Sequence, residues 1–131
     1  MIARISDYLP GATFLSLLAF SCHAADVSLL FDQKLQDIPG KSGQVLTVTF
    51  APGESSAQHR HNAHTFVYVL EGSVVMGVRG SEPVTLKAGE TFYENPDDIH
   101  EVSRNASDTE VAKILVFFIK GTDAPPTVPV E

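Results

Sequence analysis

The chain has 131 residues, with 16 acidic and 9 basic side chains and a formal charge of −7 at pH 7. That length suits one domain and is too short for two. It has no Lys/Arg cluster, which excludes a nucleic-acid footprint and docking on an anionic membrane, because both need concentrated positive charge.

The N-terminal segment reads as a secretory signal peptide. Arg4 gives a weak positive start, partly offset by Asp7, and residues 11–21 (GATFLSLLAFS) form an apolar stretch. Cys22-His23-Ala24 then places small residues at the −3 and −1 positions of a cleavage site before Ala25. The apolar run is about half of what a spanning helix needs, so no stable membrane insertion is expected after cleavage. The expectation is a periplasmic or secreted protein with residues 1–24 removed. Cys22 is the only cysteine, so the mature chain has neither a disulfide framework nor a thiolate metal ligand.

The remaining chain is predicted to be strands. Residues 27–31 allow a short first strand, followed by a turn at Ile38-Pro39-Gly40-Lys41. QVLTVTF (44–50), residues 65–70, VVMGV (74–78), residues 84–86, 91–94 and 99–103, and VAKILVFFI (111–119) follow, separated by Gly/Pro turns. Gly53, Gly72 and Gly89 are read as turn glycines needing positive φ. The most apolar run, 111–119, is predicted to be a buried strand because of its length and β-branched content. The Pro-rich tail, 122–131, is expected to be extended or loosely ordered. No segment has a helical period, so a β-sandwich or barrel is expected.

His59-Arg60-His61 is the pattern most suggestive of chemistry. Two histidines at i and i+2 on an extended segment project to one face, and His100 from another strand could complete a set of imidazoles around one metal ion. The bland alternative is three surface or core histidines without metal.

Gly53, His59-Arg60-His61 and Val67-Tyr68-Val69-Leu70-Glu71-Gly72, followed by Gly89, Asn95-Pro96, His100 and Asn105, resemble the two motifs of the cupins in order and in the interval between them, with Asn105 one residue later than the pattern. The resemblance implies an all-β fold: a single-domain antiparallel cupin barrel, or jelly roll, over residues 25–131 with its core at about 45–119. It also implies one metal in the barrel mouth, with His59, His61 and His100 as ligands. The sequence departs from the pattern where the motif-1 carboxylate ligand is expected, because Thr65 stands there. A neutral hydroxyl is a poor ligand, so a three-histidine site with positions left for water or substrate is expected. The turn before His100 is also altered, with Asn95 and Asp97 where Pro and Gly are usual.

Glu94 is the candidate catalytic residue, as a base, an orienter of an imidazole or a replacement carboxylate ligand. An ordinary solvent-facing strand Glu is its bland alternative. Asp97 and Asp98 read as turn formers. His64, Thr65, Tyr68 and Tyr93 are candidate pocket residues, although strand parity points His64 away from Thr65. Imidazole donors suit Fe(II), Zn, Mn, Ni or Cu, so the cofactor expected is one divalent transition metal of unspecified identity.

The leading functional reading is an exported, dioxygenase-like oxidoreductase acting on a small organic molecule. The alternative is a non-catalytic periplasmic module that binds metal or a small ligand, and a regulatory or structural cupin is the least supported. The resemblance to cupins, which often pair through their sheets, also implies a homodimer.

Overall fold

Period-2 alternation and closely spaced turns produce strands alone. The computed structural model describes residues 25–131, and no helix forms among them. The expected signal peptide, residues 1–24, lies outside the described residues. The strands are β1 (Asp26–Lys34), β2 (Lys41–Phe50), β3 (His59–Arg60), β4 (His64–Glu71), β5 (Ser73–Val78), β6 (Val84–Lys87), β7 (Thr91–Glu94), β8 (His100–Asn105), β9 (Ala112–Gly121) and β10 (Val128–Pro129). All pair antiparallel, in two five-stranded sheets ordered β1-β2-β9-β4-β7 and β10-β3-β8-β5-β6. The expected all-β jelly roll is present.

The inner faces of the two sheets form the core. In β4, Thr65, Val67 and Val69 are buried while Phe66, Tyr68 and Leu70 are exposed. A one-residue slip of this strand would exchange the two sets, so burial specifies its register. β9 lies at the centre of the first sheet. It buries Ala112, Ile114, Val116 and Phe118 inward and half-covers the residues between them. That two-sided cover accounts for its nearly continuous apolar sequence. β1 is longer than the sequence suggested and is exposed along its whole length, as an edge strand with a bulge between Leu29 and Phe31.

Two local devices hold the frame that carries the site. Gly72, at φ 68°, turns β4 into β5 so tightly that a Cβ there would meet the Val111 carbonyl oxygen at 2.5 Å. Asn105, 2% exposed at the end of β8, donates from Nδ2 to the carbonyls of Phe50, Ala51 and Glu110 and accepts from the Ser107 amide. Its side chain thus ties together the backbones of two loops.

Of the two expected states of the tail, the structure has the extended one: it crosses the barrel mouth, where β10 pairs with β3. Lys120, 3% exposed, holds its start by donating from Nζ to the carbonyls of Gly121, Thr122 and Ala124. The energetic reason is local. A buried ammonium needs acceptors, and the tail carbonyls supply them.

Candidate metal centre

His59, His61 and His100 converge although 39 positions separate the second from the third. Strand pairing explains the convergence. His59 on β3 lies directly opposite His100 on β8, and such antiparallel partners share a face. His61 follows two residues after His59, just before Asn62, whose left-handed φ of 48° turns the chain into β4. Ring centroids lie 4.8 Å apart for His59–His61 and 5.0 Å for His59–His100. One ligating atom from each ring lies within 4.8 Å of the others. Small ring rotations reduce that spread to the about 3.0–4.2 Å between donors sharing one ion at about 2.1 Å.

Backbone carbonyls fix which nitrogen faces the cluster. His59 Nδ1–H donates to the Ala57 carbonyl at 2.8 Å, and His61 Nδ1–H donates to the Pro126 carbonyl at 2.6 Å. A carbonyl only accepts, so Nδ1 carries the hydrogen in both rings and Nε2 is the nitrogen left to ligate. Orienting partners of this kind fix ring tautomer and basicity in metal sites. The second is supplied by the tail, so the strap across the mouth is part of the centre.

Electrostatics keep the rings ready to ligate. Burial lowers His61 from 6.5 to about 4, against the Pro126 hydrogen bond, and His59 adds to the lowering. Burial lowers His100 to about 3, helped by His59 and His61, and a contact with the Val102 backbone that falls short of hydrogen-bond geometry opposes it. Both are neutral at pH 7, as ligation requires. Without metal a cluster of imidazoliums would be strongly disfavoured here, because desolvated like charges repel.

Glu94 enters the same cavity from β7. It is 1% exposed, and among the described residues neither carboxylate oxygen has a hydrogen-bond partner. Oε1 lies 3.3 Å from His100 Nδ1 and Oε2 lies 3.9 Å from His61 Nε2. Burial, followed by the nearby Asp98, raises its pKa from 4.5 to about 8. In the metal-free protein the contact is therefore between a neutral acid and neutral rings, and no ion pair forms. Two orphaned oxygens beside an unpartnered His100 ring are what a bound cation would satisfy. The residues present fit a divalent metal.

The cavity below the histidines has a volume of about 100 Å³. Leu46, Val67, Met76, Ile114, Val116 and Phe118 wall it, and Ser103, Thr65 and Thr127 add hydroxyls. No Lys or Arg among the described residues lines it. Thr65 reaches it but turns its hydroxyl to the Ala63 carbonyl at 3.3 Å.

The other candidate pocket residues lie elsewhere. His64, Tyr68 and Tyr93 are on the outer face of the first sheet. There His64 Nδ1 and the Tyr93 hydroxyl are 2.6 Å apart. Strand parity is the cause, since each lies one position from an inward residue. Asp98 accepts from the Asn95 amide at 2.7 Å and shapes the turn before His100. Sequence reasoning missed Ser103, Met76 and Pro126. A backbone carbonyl leaves no mark in a sequence, and the first two are unremarkable strand residues.

The family model described as a cupin domain matches residues 46–118. The chain belongs to the cupin family. Among solved structures, this cupin is similar to an uncharacterized conserved protein with a double-stranded beta-helix domain from Klebsiella pneumoniae subsp. pneumoniae MGH 78578. Identity is 19% and the TM-score 0.63, covering 82% of this chain and 84% of that one. It is also similar to an oxalate oxidase solved in complex with glycolate, at 24% identity and a TM-score of 0.61, covering 80% of this chain and 54% of that one. The DMSP lyase DddQ from Ruegeria pomeroyi DSS-3 matches at 19% identity and a TM-score of 0.59, covering 67% of this chain. The match spans only 43% of the length of that lyase. These likenesses establish the fold. No curated protein sequence matches the chain.

Proposed function

We propose that this cupin is an exported metalloprotein that binds one divalent transition metal through His59, His61 and His100 and acts as a dioxygenase-like oxidoreductase on a small, largely apolar organic molecule. One observation carries the reading. Three imidazoles, two held neutral by burial and two oriented by backbone carbonyls, meet at the head of an apolar cavity. Three protein nitrogens leave coordination positions for substrate, as catalytic metal sites do. A metal held there would supply a Lewis acid and, with iron or manganese, a redox centre.

The chain's own residues do the rest. The apolar walls exclude water and select for shape. Among the described residues the lining has no Lys or Arg, so a substrate would be held by the metal, by packing and by the hydroxyls of Ser103 and Thr127. The oxalate oxidase structure shows that this fold can admit an acid as small as glycolate, which supports a substrate of that size. Export is supported by residues 11–24 as a signal peptide. The exposed Phe66, Tyr68, Leu70 and Tyr93 on the outer sheet face support pairing of two copies through that sheet.

The tail strap favours a second reading, in which the protein holds a metal or small ligand without turnover. The two are separated by loading metal-stripped protein anaerobically with Fe(II) and following oxygen uptake with catechols, diketones and thiols. Uptake lost in a His100→Ala variant supports the oxidoreductase. Retained iron with no uptake on any substrate supports the binding protein.

A further inference from the structure

The geometry points to Glu94 as the fourth ligand of this centre, supplying from β7 the carboxylate that Thr65 does not supply from β4. The inference rests on the three-histidine reading and adds one donor to it. Thr65 and Glu94 are direct partners in the β4–β7 ladder. Opposed residues on antiparallel strands send their side chains to the same face, with Cβ atoms about 4.5–5.5 Å apart. Both are buried, at 0% and 1% exposure, and both line the same cavity. A carboxylate moved across this rung enters the same space from the neighbouring strand.

The separations match ligation better than ring orientation. Two donors at about 2.1 Å from one ion lie about 3.0 Å apart at a right angle and about 4.2 Å apart when opposed. The Glu94 oxygens stand 3.3 Å from His100 Nδ1 and 3.9 Å from His61 Nε2, within that interval. An orienting carboxylate would sit about 2.7–2.9 Å from a ring N–H and in line with it. Neither oxygen makes such a bond. His61 already has its orienting partner in the Pro126 carbonyl, as His59 has in Ala57. No Lys, Arg or backbone amide approaches Glu94 among the described residues closely enough to bond it. Its two oxygens each face a different candidate ligand ring, which brackets a point between them.

Glu94 would make the donor set three nitrogens and one oxygen, with one negative charge. A hard oxygen donor moves the preference away from Cu(I) and towards Fe(II), Mn(II) or Zn(II).

The test is metal binding to the full chain, metal-stripped and titrated with Co(II) and, by competition, Zn(II). The absorption bands of bound Co(II) report the donor set independently of activity. Glu94→Gln preserves shape and removes the anionic donor, and the exchange Thr65→Glu with Glu94→Thr restores a carboxylate from the other strand. We expect Glu94→Gln to lose about 100-fold or more in affinity, beyond the range usual for an orienting partner, and to shift the Co(II) bands. The exchanged protein should recover affinity to within about 10-fold and the original bands. Glu94→Gln that binds within about 10-fold of the parent with unchanged bands overturns the inference and leaves the three-histidine site standing. A folded exchange variant as weak as Glu94→Gln overturns the equivalence of the two positions. Failure of the parent chain to bind either metal removes the three-histidine reading, and this inference with it.

Discussion

Removing the metal should leave a protein whose stability peaks near pH 6.5, and Glu94→Gln should remove one side of that peak. Glu94 is raised from 4.5 to about 8 by burial. A raised acid contributes stability that is fully present below pH 4.5 and lost as pH climbs through 8. His61 and His100 are lowered from 6.5 to about 4 and about 3. Their contribution is present above pH 6.5 and lost as pH falls towards those values. Between pH 5 and 6 the unfolded chain holds two imidazolium protons that the fold lacks, and the fold holds one carboxyl proton that the unfolded chain lacks. The net difference is one proton, so stability rises by about 1.4 kcal/mol per pH unit. From pH 6.5 to 8 only the carboxyl proton counts, and stability falls by about 2 kcal/mol. Gln mimics the protonated acid and does not titrate. The variant should match the parent near pH 5 in shape of unfolding, keep its stability from pH 6.5 to 8, and show an acid limb steepened to about 2.8 kcal/mol per unit. Urea unfolding of chelator-treated protein from pH 4.5 to 8.5 measures both curves. An identical alkaline decline in parent and variant would refute the assignment of that limb to Glu94.

Three further outcomes follow from the packing. Truncation after Asp123 removes the Pro126 carbonyl that orients His61 and should weaken Zn(II) binding by about 10–100-fold, read by competition titration. Lys120→Met should give a smaller loss and free the tail, read as faster amide exchange at Val128, because its ammonium holds two tail carbonyls, those of Thr122 and Ala124. Asn105→Ala removes three donations to backbone carbonyls and one acceptance from an amide, and should cost about 2–3 kcal/mol in chemical denaturation while leaving the metal ligands in place.

Much of the architecture was legible because it rests on local rules. The alternation in residues 65–70 and the turn glycines placed most strands, and His59-Arg60-His61 declared itself by i, i+2 spacing. His64 faces outward as parity required. Glu94 was harder, because the turn at Pro96 breaks the parity that would relate it to His100. Its face is set by the ladder with Thr65, a contact between residues remote in sequence. Tyr68 and Tyr93 were misplaced towards the pocket for a related reason: proximity in sequence to site residues says nothing about which face of a strand is used. The tail was least legible. Pro125 and Pro126 rule out helix, but nothing in their side chains shows that one carbonyl would meet a histidine ring.

The central claim is a metal held by three histidines, and metal content tests it most directly. Elemental analysis of the protein purified at neutral pH, beside His59→Ala/His100→Ala, should find one divalent transition ion per parent chain and essentially none in a folded double variant. Full metal content in that variant would contradict the account.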